Sequence, residues 1–271
     1  TLLTSILVVM LATLIAGPVS ATVLYYDTFE SYDISGGPID LVGLTAPSGQ
    51  TYTTTPGLYT IGVAGDIPSL QVRDDVSVLS AQGAGSASPS SGSFPYGFNA
   101  ATVLLGTNYS TGIYTLSIDF IGNGPQFFLS LDNGSGAGLS GVIEGSHLAL
   151  QGLGLGNINL VTGLTSPIKM RTTWTWDLDA KTVTATWQGL DANSGVSGSA
   201  TNTYTATGKS FSALHLFSAP GTTPHGMDNI ILVTGDTIPD GYIPEIPEPS
   251  TLALLATGLL GLVCYAWRKR K

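Results

Sequence analysis

Between residues 169 and 178, side chains alternate without a break. Met170, Thr172, Trp174, Trp176 and Leu178 fall on one side, and Lys169, Arg171, Thr173, Thr175 and Asp177 on the other. A period of two belongs to a β-strand with one buried face. Asp177-Leu-Asp-Ala180 then supplies turn formers, since Asp side chains bond turn backbone. Thr182-Val-Thr-Ala-Thr-Trp187 returns with Val183, Ala185 and Trp187 in phase. A one-residue slip would turn three tryptophans out into water, so the register is strongly specified. The cationic face opposite them makes the tryptophans core filling rather than a stacking platform for sugar rings. A chain holding this hairpin is committed to antiparallel sheet around a packed interior.

The rest of the body reads the same way. Strands are expected at 23–29, 58–63, 70–73 and 114–120, then at 127–131, 142–150, 158–161, 211–217 and 229–233. The 127–131 strand is expected to pair with 114–120 across Gly122-Asn-Gly124. Residues 34–57 hold Pro38, Pro47 and Pro56 and read as an irregular connection. The Ser/Gly/Ala-rich run 80–93 reads as a mobile loop. About a dozen strands and almost no helix suggest two antiparallel sheets packed face to face. The one cysteine, Cys264, lies outside this body. No disulfide can staple it, so a packed core must hold it.

Two stretches resemble the concanavalin A-like (laminin G-like) jelly rolls. Asp27-Thr-Phe-Glu-Ser-Tyr32 is similar to their first strand, and Met227-Asp-Asn-Ile-Ile-Leu-Val233 to their last. The resemblance implies an all-β, two-sheet jelly-roll sandwich with first and last strands adjacent. That fold serves both sugar binders and glycanases, so it does not fix a function.

Both ends of the chain are apolar. Leu2 to Ala16, followed by Gly17-Pro18-Val19-Ser20-Ala21, reads as a secretory signal peptide cleaved between Ala21 and Thr22. No Met and no charged segment precede it, so the natural start is expected to lie upstream. The other end has three parts in fixed order. Pro247-Glu248-Pro249 is extended, because each proline fixes its own φ and restricts the residue before it. Residues 251–267 carry no charge and end in Tyr265 and Trp267. As a helix they span roughly 25 Å at ~1.5 Å per residue, a little short of a ~30 Å hydrocarbon core. Arg268, Lys269, Arg270 and Lys271 then hold the terminus on the cytoplasmic side.

This order closely resembles the PEP-CTERM sorting signal of exported bacterial proteins, which are processed by the membrane protease-transpeptidase exosortase. The resemblance implies recognition at Pro247, Glu248 and Pro249, and removal of the helix and basic tail. A plain tail anchor is the competing reading. The expected organisation is signal peptide 1–21, β-sandwich 22–235, linker 236–246 and sorting signal 247–271. A signal helix and a transmembrane helix thus flank the sandwich.

Ahead of the tail helix, 18 acidic residues face five basic ones, a formal charge of −13. This argues against nucleic acid or an anionic membrane surface as partner of the body. Retaining glycanases need two carboxylates about 5–5.5 Å apart, and no Glu-x-Asp-x-Glu run supplies them. Glu30 and Asp33 would face opposite sides, and Glu144 has no acidic neighbour. His147, His215 and His225 are scattered, with no His-x-x-x-His pair. Asn108-Tyr-Ser110 and Asn133-Gly-Ser135 are acceptor sequons. If the end strands pair, Asp27 and Asp228 could share a Ca²⁺ with Glu30, although hydrogen-bonded strand-end carboxylates are the favoured reading. No metal, cofactor or catalytic residue is therefore assigned.

The expectation is a non-enzymatic, exported protein, anchored in the inner membrane as an intermediate and then released to the cell surface or matrix. Its partners would be the secretion machinery with signal peptidase, exosortase, and polysaccharide as candidate ligand. A glycanase or polysaccharide lyase on the same fold is the alternative. An anchored sensor is the third reading, weakened by the four residues that follow the helix.

Overall fold

The computed structural model describes residues 21–36, 39–53, 70–73, 86–89, 99–122, 127–132, 139–144, 147–151, 158–162, 168–190, 197–204, 209–218 and 226–242. Every regular element among them is a strand. In chain order the first are β1 (Val23–Asp27), β2 (Ile39–Asp40), β3 (Tyr52–Thr53), β4 (Leu70–Arg73) and β5 (Ser86–Pro89). The central ones are β6 (Asn99–Tyr109), β7 (Ile113–Gly122), β8 (Phe127–Asp132), β9 (Leu139–Glu144), β10 (His147–Gln151) and β11 (Ile158–Val161). The last are β12 (Ile168–Asp177), β13 (Thr182–Gly189), β14 (Gly198–Thr203), β15 (Phe211–Ser218) and β16 (Gly226–Thr234).

Pairing among the described residues is antiparallel throughout and makes two sheets. One runs β14-β13-β12-β7-β16-β5-β4-β2, with β1 also on β16; the other runs β11-β10-β9-β8-β15-β6-β3. One buried cluster joins them, drawing Leu116, Ile118, Trp174 and Val183 from the first sheet and Ala101, Val103, Leu214 and Leu216 from the second. Tyr114 of β7 meets Phe211 of β15 edge-to-face, with ring centroids 4.8 Å apart. The molecule is thus a β-sandwich whose core lies between its sheets.

The tryptophan hairpin forms in the expected register, with Thr172 opposite Trp187, Trp174 opposite Ala185 and Trp176 opposite Val183. All three rings are buried, and Trp174 and Trp176 stack at 6.4 Å. Asp177 Oδ1 accepts the Asp179 and Ala180 amides in the turn. Gly198 of the edge strand β14 lies opposite Trp187. A Cβ there would come within 2.6 Å of the indole, so glycine is what lets β14 close over it.

Several expectations are corrected. The 127–131 strand does not pair with 114–120, because β7 lies between β12 and β16 while β8 lies between β9 and β15. Both sides of β7 are taken by strands distant in sequence, so the chain after Gly122 crosses to the other sheet. Residues 142–150 are not one strand, since Glu144 and His147 are register partners where β9 returns as β10. The low-complexity run 80–93 contains β5, paired with β4 and touching β16. β6 and β14 add to the expected strands. β6 lacks clean alternation because residues 105–108 bulge out of its pairing with β15, around Gly106 at φ 75°. β14 is a polar edge strand with alternate residues exposed. The 58–63 strand lies outside the described residues.

Candidate functional site

β1 and β16 pair antiparallel, from Val23 opposite Val233 to Asp27 opposite Ile230. The beginning of one strand therefore lies beside the end of the other. The Thr22 amide donates to Thr234 Oγ1 at 2.9 Å, and the Thr234 amide donates to the Thr22 carbonyl at 2.9 Å. Thr22, the expected mature N-terminus, is exposed, and Ala21 stands next to it. Residues 21–22 and the end of β16 thus lie side by side at one end of the sheet.

Beyond Thr234 the chain doubles back. Gly235 takes φ 87°, open to glycine without strain. Its amide donates to the Ile113 carbonyl, and its carbonyl accepts from Thr115 Oγ1 at 2.8 Å. Tyr25 and Asp27 of β1 face the core, while Tyr26 pairs with Ile231 on the opposite side of the sheet. Tyr242 packs edge-to-face on Tyr26, with ring centroids 5.1 Å apart. The segment 235–242 is thereby held against the domain just before the sorting motif. Pro247, Glu248 and Pro249, the basic tail 268–271 and the apolar runs 2–16 and 251–267 lie outside the described residues. Among the described residues no helix is long and apolar enough to cross a membrane.

Two buried carboxylates lie on opposite faces of this sheet, toward the far end of the β1–β16 ladder. Asp27 points into the sandwich and is fully buried. Its Oδ1 accepts the Phe29 amide at 2.7 Å, and its Oδ2 accepts Tyr32 Oη at 2.6 Å and Tyr52 Oη at 2.7 Å. Tyr25 Oη in turn bonds Tyr52 Oη. Burial raises the Asp27 carboxyl above the usual range, and the tyrosine and backbone bonds pull it only partly back. Burial likewise pushes Tyr25 and Tyr52 well up.

Asp119 lies on the other face, opposite Arg171 on β12 and Asp228 on β16. Arg171 grips it with two charge-assisted bonds, Nε to Oδ1 at 2.6 Å and Nη2 to Oδ2 at 2.7 Å. Asn229 Nδ2 adds a bond to Oδ2 at 2.9 Å. Burial still raises Asp119, against the opposing pull of Arg171 and Asn229. Asn229 sits at φ 49° in a β-bulge between Asp228 and Ile231. Asparagine tolerates that left-handed backbone better than most residues. Asp228 Oδ1 accepts the Asn229 amide at 2.7 Å. The bulge explains the Asp-Asn-Ile pattern of the last strand: one residue caps it, one adopts it, and the next returns to the core.

Asp27 and Asp228 do not meet, because the bulge leaves Asp228 on the face away from Asp27. Glu30 is exposed. A Ca²⁺ site shared by these three is not formed, and among the described residues no cluster of three metal-binding side chains exists. His215 is buried, with Nδ1 on Thr102 Oγ1 at 2.9 Å. Asn108 is exposed on β6. The side chains of Glu144 and His147, together with His225 and Asn133, lie outside what is described.

Residues 245–271 match the family model of the PEP-CTERM protein-sorting motif. The chain carries a PEP-CTERM sorting motif. The motif implies export, a membrane-anchored intermediate and processing by exosortase. No curated protein matches the chain by sequence. Similar solved structures include lectin II from Ulex europaeus, 9% identical with a TM-score of 0.42, over 62% of this chain and 90% of that one. A β-glucanase from Bacillus licheniformis is 13% identical with a TM-score of 0.42, over 78% of this chain and 98% of that one. Arcelin-5 from Phaseolus vulgaris is 11% identical with a TM-score of 0.39, over 80% and 99%. With such low scores, the architecture stands on the strand ladders themselves.

Proposed function

We propose that the protein is a non-enzymatic sandwich delivered by exosortase to the cell surface or an exopolysaccharide matrix, where it acts as a structural or glycan-contacting module. The observation that carries this reading is the sorting motif at 245–271, attached to a β-sandwich body. The use of the buried acids supports the non-enzymatic part. Asp119 is held by Arg171 and Asn229, and Asp27 by two tyrosines and a backbone amide. Acids held in this way fix strands in place. A glycosidase acid pair instead needs access to a sugar, whereas Asp119 and its register partner Asp228 are both buried.

The glycanase alternative is tested by incubating the purified protein with a panel of β-glucans and galactans and assaying new reducing ends. The proposal expects none to appear and expects retention on at least one polysaccharide affinity gel. New reducing ends that vanish in a single-carboxylate variant would replace this reading with an enzyme.

A further inference from the structure

We propose that Tyr242, seated on Tyr26, is a clasp that sets how far the sorting motif can reach from the folded domain, and so sets the rate at which the motif is processed. The inference rests on the reading of Pro247–Pro249 as a processing site. Three observations place the clasp. Gly235 turns the chain back from the end of β16, and Thr115 fixes that turn through the Gly235 carbonyl. Gly241, at φ 86°, makes a second turn immediately before the ring. Tyr242 then meets Tyr26 edge-to-face at 5.1 Å. Tyr26 is itself held, since its amide donates to Ser48 Oγ and its carbonyl accepts from the same hydroxyl.

Chain length turns this contact into a constraint on reach. With the clasp closed, the five residues from Tyr242 to Pro247 can span at most about 17 Å. With it open, the tether runs from Gly235 to Pro247 and the limit becomes about 40 Å. A membrane protease must draw an extended peptide into its active site while the sandwich stays outside. The segment also carries exposed Asp236 and Asp240, and anionic headgroups repel such charges. A domain held within 17 Å of the motif therefore hinders approach, and release relieves the hindrance. An aromatic pair of this geometry shifts an open–closed equilibrium by about 2- to 12-fold.

Two assays on the full-length chain test the clasp. In the first, detergent-purified protein is cut after Glu245 by a glutamate-specific endoprotease. Tyr242→Ala and Tyr26→Ala should raise the initial rate about 2- to 12-fold, and Tyr242→Phe should match the wild type. Equal rates for the wild type and Tyr242→Ala overturn the proposal. In the second, processing is followed by pulse-chase in a host that carries an exosortase. A six-residue Gly-Ser insertion after Tyr242 lengthens the reach without touching either ring, and should accelerate processing as Tyr242→Ala does. Failure of the insertion to accelerate it overturns the reach argument. A wild type that the host leaves unprocessed, with the endoprotease rates still separated as predicted, contradicts the sorting reading and supports the clasp.

Discussion

Asp27 and Asp119 are both fully buried on the same sheet, but they are satisfied in opposite ways. Asp119 has a cation, held in two-point geometry by the neighbouring strand. Asp27 has, among the described residues, neutral donors: two phenols and one amide. Burying a lone carboxylate costs free energy unless it is paired or becomes neutral. The first site solves this by pairing, and locks three strands into register. Among the described residues the second has no cation bonded to it, so its neutral form is the one the interior favours. One site is a bolt between strands, and the other ties the first strand to the irregular segment that follows it.

Breaking the bolt should have the largest effect. Arg171→Met leaves Asp119 buried without its cation, and a broken buried pair costs about 3–5 kcal/mol. Urea denaturation at neutral pH measures this as a drop in the transition midpoint. An unfolding free energy within about 1 kcal/mol of the wild type would mean that Asp119 is not charged in the fold. Asp27→Asn should cost less, about 1–2 kcal/mol at neutral pH, because an amide still accepts one of the bonds and strands no cation.

The two sites should also separate by pH. The folded pKa of Asp27 lies above its unfolded value of about 3.9, because burial raises it. Protonation thus favours the native state. This contribution is full below about pH 4 and is lost as pH rises through the raised value. Asp27→Asn removes it, so the stability curve over acid pH should flatten relative to the wild type. Parallel curves would show that Asp27 does not titrate abnormally. The smallest effect belongs to Tyr32→Phe, which removes one of three bonds to Asp27 at a partly buried position. A loss of about 1 kcal/mol is expected in the same titration, and no loss at all would assign the Asp27 anchor to Tyr52 and the Phe29 amide alone.

The contrast also shows what could be read from the sequence. The tryptophan hairpin was legible because its signal is local: alternation, turn formers and return lie within about twenty residues. The sorting tail was legible for the same reason. The Asp119 bolt was not, since Arg171 and Asn229 are 52 and 110 positions away and only the register brings them together. An aspartate in the polar phase of a half-apolar strand looks like an ordinary solvent-facing residue. Asp27 stands out in the sequence, but the choice between a cation and tyrosines depends on which face of β1 it occupies. The misplaced 127–131 strand has a related cause. A Gly-Asn-Gly between two strand-like runs suggests a hairpin, yet pairing with β12 and β16 prevailed.

The account turns on the tail, and mass spectrometry of the mature chain, produced in a host that carries an exosortase, tests it most directly. Glu248→Gln preserves the size and extension of the motif but removes its charge, so that variant should stay membrane-bound and run through to Lys271. The wild type should begin at Thr22 and end before the apolar segment 251–267. A wild type that also ends at Lys271 would contradict the account and make the protein a plain tail-anchored β-sandwich.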